Sequence, residues 1–224
     1  MIDRSLSVAE IACDVPGAPL VFEEAGIDYC CAGSRSLADA CTNAGVPVER
    51  VVADLEKGTT RGLPADRRWN DGTVEELLDF IESTHHEYTR REMERLDALM
   101  DKVGHAHGEA HPELAEVARL YAALEEDIRP HLLKEEEVLF PMIRAKQPAI
   151  EGPVEVMLVD HDAVGEILRE LRAATNGYTV PADGCGSWRA LFDGLRALEA
   201  DLHRHIHLEN NVLFPRLGIE LPAD

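Results

Sequence analysis

From Thr73 onward, apolar residues recur with a helical period over long stretches. Val74, Leu77, Leu78, Ile81, Tyr88, Leu96 and Leu99 keep that spacing up to Val103. Thr73 and Glu76 form the Thr-x-x-Glu pattern that caps a helix start. A polar loop, GHAHGEAH, separates this helix from a second, which Pro112 opens and which should run to about Ala145 with a bend at Pro130. Pro153 opens a third helix, to about Thr175. After a loop with Gly177, Pro181 and Gly184, Ser187 opens a fourth, to about Phe214. Upstream the pattern is shorter. Ser7 caps Val8–Cys13, and Pro16–Ala25, Leu37–Ala44 and Pro47–Lys57 follow, the last ended by Gly58. DYCCAGSRS reads as a loop between the second and third of these. GTTRGLPADRRWNDG has turn formers and no period, so it reads as a linker. The expected fold is all-α. Residues 1–58 make a small helical N-terminal domain, 59–72 a linker, and 73–224 an antiparallel four-helix bundle.

Charge and cysteine content narrow the function classes. The 224 residues carry 43 acidic against 22 basic side chains, a formal charge of −21. Such a surface repels phosphate backbones and anionic membranes and suits cations, so nucleic acid is not an expected partner. No apolar run has the length of a membrane span and MIDRSLSVAE lacks a signal-peptide core, so a cytoplasmic location is expected. The five cysteines, Cys13, Cys30, Cys31, Cys41 and Cys185, are odd in number and include no pair of C-x-x-C motifs. Neither a disulfide framework nor a structural zinc site is indicated.

Two segments carry the chemistry. HLLKEEEVLFPMI begins at His131 and HIHLENNVLFPRL at His205, and both fit H-x-x-x-E-x-x-V-L-F-P. His131 and His205 are 74 residues apart, and so are Glu135 and Glu209, which reads as an internal duplication. Residues four apart on a helix lie about 40° apart around the axis and about 6 Å along it, so an imidazole and a carboxylate can reach one metal. Nitrogen and carboxylate oxygen without thiolate suit iron or manganese, and a carboxylate from each helix can bridge two ions. His131 shares its stripe with Leu124, Ile128, Glu135, Val138 and Met142; His205 shares its own with Leu198, Leu202, Glu209 and Val212. A carboxylate in an apolar stripe needs a metal or another partner to compensate its burial. His203 and His207 are also four apart, but Arg196, Glu199, Asn210 and Asn211 share their face, which reads as solvated.

The third helix offers His161, in line with Val154, Met157, Leu158, Val164, Leu168 and Leu171. The first offers His85 or His86. Periodicity favours His85, in line with Leu78, Ile81 and Tyr88, whereas the duplication favours His86, 75 residues before His161. The pattern leaves both open. One H-x-x-x-E alone is most often a surface ion pair; two in duplicate on apolar faces, with a core histidine on a third helix, are better explained as a metal site.

On these residues the second half resembles hemerythrin-like domains. The whole chain resembles the repair-of-iron-centres family, di-iron proteins associated with repair of iron–sulfur clusters damaged by nitric oxide or peroxide. The marks are DYCC at Asp28–Cys31, HLLKEEEVLFPMI, EVMLVDHDAVGE around His161, and HIHLENNVLFPR. The resemblance implies two iron ions, oxo- or hydroxo-bridged, held by His86, His131, Glu135, His161, His205 and Glu209, with Glu135 and Glu209 bridging. It selects His86 over His85, and it places His107 near the site but outside the ligand set. The family commonly shows Cys-Cys-Gly-Gly, and here Ala32 follows Cys31.

Adjacent cysteines make poor partners for each other in an ordinary disulfide. Cys30 and Cys31 sit with Gly33 and Arg35 in a loop, where an exposed thiol near positive charge would react or bind a soft metal. The resemblance makes this pair functional; Cys13, Cys41 and Cys185 are assigned to packing. The leading expectation is repair of damaged iron–sulfur proteins by iron donation. The rivals are a di-iron nitric oxide reductase and a hemerythrin-like sensor that binds O2 or NO reversibly. Whether the chain is an enzyme, its electron donor and its assembly, a homodimer among the options, stay open at this level.

Overall fold

The computed structural model describes residues 2–60, 69 and 71–219. Most of the expected linker, 61–68 and 70, lies outside the described residues. Among those described the chain is all-α, with one isolated bridge between Ser7 and Ser36. Two compact units divide it: Met1–Asp79 with His203–Asp224, and Phe80–Leu202.

In the first unit, α1 (Val8–Asp14) starts on a capping box. The Glu10 amide donates to Ser7 Oγ at 3.2 Å and the Ser7 amide to Glu10 Oε2 at 2.8 Å. Each such bond satisfies an amide that the helix end would leave orphaned. α2 (Ala18–Ala25) ends on Gly26, whose φ of 66° is cheap only without a Cβ. Ser36 caps α3 (Leu37–Asn43), and α4 (Val48–Thr60) follows. α4 runs past Gly58, because a glycine interrupts a helix only where the chain must turn left-handed. Val8, Ile11, Phe22, Tyr29, Leu37, Val51 and Leu55 form the core.

α5 (Val74–Phe80) belongs to the first unit except for Phe80, and the second unit continues from it through a π-turn, Ile81–His86, into α6 (Glu87–His107). Then come α7 (Leu114–Lys134), a π-turn Glu135–Leu139 and α8 (Phe140–Arg144). α9 (Glu151–Ala174) and α10 (Gly186–Leu208) complete the bundle. Past Leu202 the chain belongs to the first unit, where a third π-turn, Glu209–Leu213, leads into α11 (Phe214–Arg216). α7 packs on α9 and α6. Arg172 on α9 donates to Glu199 on α10 at 3.0 Å. A Cβ at Gly194 would lie 2.8 Å from Leu96 Cδ2, so α10 approaches α6 where it has no side chain. Leu96, Leu124, Leu168 and Leu195 are buried, each stabilising the core by roughly 1.5–3 kcal/mol relative to exposure. Pro130 lies inside α7 without ending it.

The π-turns have a local cause in two of three cases. The Phe140 amide donates to the Glu135 carbonyl and the Phe214 amide to that of Glu209, five residues back. Pro141 and Pro215 follow. Each lacks an N–H and crowds the carbonyl four residues before it, and a widened turn relieves that crowding. Widening also shifts the register. Val138, expected inside, is 48% exposed and Leu139 is buried, whereas after the matching π-turn Val212 and Leu213 are both buried, so the shift alone does not decide which residue is covered. In the first π-turn the same effect buries both His85 and His86.

Candidate metal centre

Within the second unit, His86, His131, Glu135 and His161 converge. All four are buried, at 1% exposure or less. Glu135 Oε1 lies 3.1 Å from His131 Nε2, and Oε2 lies 3.3 Å from His86 Nε2. One carboxylate thus presents a separate oxygen to an imidazole on each of two helices. His131 Nε2 and His161 Nε2 are 3.3 Å apart, and each of the ligand atoms of His131, Glu135 and His161 lies within 4.8 Å of the others. Two nitrogens bound side by side to one ion at about 2.1 Å are about 3.0–3.4 Å apart, so this spacing fits an edge of a coordination polyhedron. The donor set, imidazole with carboxylate and no thiolate, fits a transition-metal cation.

The outer nitrogens are held as a metal ligand needs. His86 Nδ1 donates to Glu136 Oε1 at 2.7 Å, and His131 Nδ1 to Asp160 Oδ2 at 3.3 Å. A carboxylate only accepts, so each Nδ1 carries the proton and each Nε2 turns its lone pair inward. Arg90 bonds both oxygens of Glu136, and Lys134 bonds Asp160 at 2.7 Å. Burial alone would raise Glu136, but the bonds from Arg90 and His86 outweigh it and hold the group below its ordinary range. The bond from His131, with that from Lys134, brings Asp160 down to about 2. Sequence reasoning missed Glu136 and Asp160. The available signal was adjacency: each is an acidic residue one position from an expected ligand, on a helix face that is neither core nor solvent.

His85 also lies in the interior, but its Nδ1 donates to Asp201 Oδ1 at 3.0 Å and its ring meets Phe80 edge-on. The structure therefore places His86, not His85, against Glu135. His107 is corrected: it lies 21 residues beyond His86 along a continuous helical stretch, about 30 Å at helical rise, with its ring 5.0 Å from that of Trp188.

In the first unit His205 and Glu209 are one turn apart, both fully buried, with Nε2 3.4 Å from Oε1. The solvated reading of their neighbours is wrong. His207 is 3% exposed; its Nδ1 donates to the Tyr29 carbonyl at 3.2 Å, and its Nε2 faces Cys13 Sγ at 3.4 Å. His203 Nδ1 donates to Glu23 at 2.7 Å. The N-terminal helices and the Cys-Cys loop cover this face, a long-range fact that no local pattern carries.

The Cys-Cys loop is built on Asp28, whose Oδ1 accepts from the amides of Cys30, Cys31 and Ala32 at 3.1, 3.0 and 3.3 Å. Asn211 Nδ2 donates to the Cys30 carbonyl at 3.0 Å. A Cβ at Gly33 would lie 2.6 Å from Asn211 Oδ1, so the glycine is required there, while Ala32 is accommodated. The expectation of an exposed thiol near positive charge fails for Cys30. It is 2% exposed, 3.8 Å from Cys31 Sγ and 3.3 Å from the Asp28 carboxylate. The contact with Cys31, burial and Asp28 together push its thiol well above the ordinary range. Cys185 is not a packing residue: it is exposed, and bonds from the Trp188 amide and from His107 lower its thiol to about 7.

The comparisons with known proteins fit this arrangement. The profile of the hemerythrin HHE cation-binding domain matches residues 53–217, and that of a domain of unknown function, DUF542, matches residues 4–58. The chain belongs to the hemerythrin HHE cation-binding family and, within it, to the iron–sulfur cluster repair proteins. A probable iron–sulfur cluster repair protein of Haemophilus influenzae is 35% identical, over 94% of this chain and 95% of the relative. The iron–sulfur cluster repair protein YtfE of Escherichia coli is 34% identical, over 96% and 98%. No helix among the described residues is long and apolar enough to cross a membrane.

Proposed function

We propose that this chain repairs damaged iron–sulfur clusters by donating iron from a di-iron centre held by His86, His131, Glu135, His161, His205 and Glu209. The observation that carries the centre is Glu135, a fully buried carboxylate with one oxygen toward His131 and the other toward His86. A buried carboxylate is costly to keep charged, and two cations would compensate it while using both oxygens. Glu209 repeats Glu135 at the constant spacing of 74 residues, together with its histidine, so the duplication supports a second bridge of the same kind. The repair role is supported by the relatives, which carry that name at about one-third identity along nearly the full chain.

Bound iron would supply a ferrous–ferric couple whose two states are held with different strength. The residues do the rest. Glu136 and Asp160 keep His86 and His131 in the tautomer that turns Nε2 inward. Phe140, stacked on His86 with ring centroids 5.8 Å apart, adds an apolar wall. We further read residues 1–58 as a small helical domain that carries the Cys-Cys loop and 73–224 as the iron-holding part.

The test is a repair assay with a nitrosylated cluster protein. The metal-loaded chain should restore its activity beyond an equal amount of free ferrous iron, and metal analysis with Mössbauer spectroscopy should find two irons per chain. Restoration no better than free iron would overturn the repair reading. A single metal ion, or manganese in a protein purified without added metal, would overturn the di-iron one.

A further inference from the structure

We propose that Cys13 and His207 form a second cation site, distinct from the His–Glu centre, which takes a thiophilic divalent ion such as Fe2+, Zn2+ or Co2+ at the wall of a cavity in the first unit. Cys13 lies on the last turn of α1, and His207 lies on α10 two residues after His205. Cys13 Sγ and His207 Nε2 are 3.4 Å apart. His207 Nδ1 lies 3.2 Å from the Tyr29 carbonyl, which accepts, and 3.2 Å from Asn211 Nδ2, which donates; in the tautomer that keeps the proton on Nδ1 for Tyr29, the Nε2 lone pair points at the sulfur. A backbone carbonyl on the far nitrogen is how metal-binding histidines are commonly oriented. Sulfur at about 2.3 Å and nitrogen at about 2.05 Å on a tetrahedral ion are about 3.5 Å apart, close to the observed spacing.

The surroundings suit a cation. Cys13 opens on a cavity of about 510 Å³ that Glu10, Asp14, Asn210 and Asn211 also line. Burial, with the Asp14 and Glu10 carboxylates, pushes the Cys13 thiol up to about 11, and the same negative potential attracts a positive ion. Binding replaces the thiol proton by the metal: the S–H bond breaks, an S–metal bond forms, and one proton leaves to solvent. Two protein ligands leave the remaining positions to water in the cavity. Such a site exchanges its ion readily, unlike one closed by four side chains.

The experiment titrates Co2+ into the metal-loaded, full-length chain carrying Cys30→Ser and Cys31→Ser, which removes the other close thiol pair. The expected result is a near-ultraviolet thiolate-to-cobalt band that saturates at one equivalent and is lost on adding Cys13→Ser. The His–Glu centre holds no thiolate and adds nothing to that band, so the result does not depend on the centre's own metal. Absence of the band in the Cys30→Ser/Cys31→Ser chain, or its persistence after Cys13→Ser, overturns the proposal. In the unsubstituted chain, saturating Co2+ should slow alkylation of Cys13 at least about tenfold, while exposed Cys185 serves as reference. An unchanged Cys13 rate there overturns the proposal without any variant having to fold.

Discussion

The two H-x-x-x-E segments are alike inside and unlike outside. In both, the histidine and glutamate are fully buried and a π-turn begins at the glutamate. The residue after it differs. Glu136 accepts from His86 Nδ1 and from Arg90, whereas Asn210 donates to the Cys30 carbonyl at 3.4 Å. Two residues after the histidine the contrast repeats: Leu133 is 49% exposed, but His207 is buried between the Tyr29 carbonyl and Cys13. One copy uses its outer face to orient His86. The other spends it on gripping the Cys-Cys loop. On the proposed function, a duplicated motif keeps its inner chemistry because a metal would require it, and its outer face is free to diverge.

The strongest way to break the comparison is to attack the shared inside. Glu135→Ala and Glu209→Ala should each lower metal affinity by at least about a hundredfold, more than the loss of an outer-shell partner causes. The measurement is metal content after dialysis against a weak chelator. Full retention by either variant would show that the copies are not equivalent and that only one belongs to the centre.

Next come the unlike outsides. Glu136→Gln, which weakens the acceptor for His86 Nδ1, should lower metal affinity about ten- to a hundredfold. Asn211→Ala should leave metal content unchanged. It removes the nearer of two donors to the Cys30 carbonyl, so alkylation of Cys30 should rise relative to Cys185. If Asn211→Ala lost metal and left Cys30 slow, the division of labour between the outer faces would be wrong.

A milder contrast concerns packing. Leu133→Ser, at a half-exposed position, should change stability by no more than about 0.5 kcal/mol. His207→Ala leaves the Tyr29 carbonyl without this donor and opens space beside Cys13, so it should cost about 1–3 kcal/mol. Urea titration of the two variants compares them directly. Equal midpoints would mean that the N-terminal cover contributes nothing to holding the second copy.

The same contrast explains what the sequence could and could not reveal. The inner faces were readable because burial and four-residue spacing are local, and the duplication turned two weak motifs into one pattern. The outer faces were not. His207 beside Asn210 and Asn211 looks solvated until α1 and the Cys-Cys loop are laid over it. Register failed for a different reason. Counting at 100° per residue cannot cross a π-turn, so His85 could not be separated from His86. Cys30 was misread because Arg35 is near in sequence, whereas Asp28 is what the thiol meets.

The smallest expected effect lies in the loop that the second copy grips. Burial would raise the Asp28 carboxyl, but the amides of Cys31 and Ala32 and the Cys30 thiol bond it, and together they hold it below its ordinary value of 3.8. A carboxyl depressed in the folded state contributes stability that is fully present above the unfolded value. That contribution is lost as pH falls through the lower folded value. Asp28→Asn keeps an acceptor oxygen but removes the charge. Its urea midpoint should therefore fall slightly below that of the unsubstituted chain at pH 7, and the gap should close progressively below about pH 4, where the Asp28 carboxyl of the unfolded chain begins to protonate while the folded one is still ionised. In the first copy the position two residues after Glu135 is exposed, so Glu137→Gln should show no comparable gap at either pH. A gap for Asp28→Asn that stays constant from pH 7 to pH 3 would mean that the loop is held by shape alone, with Gly33 and Asn211 in contact and the carboxylate charge irrelevant.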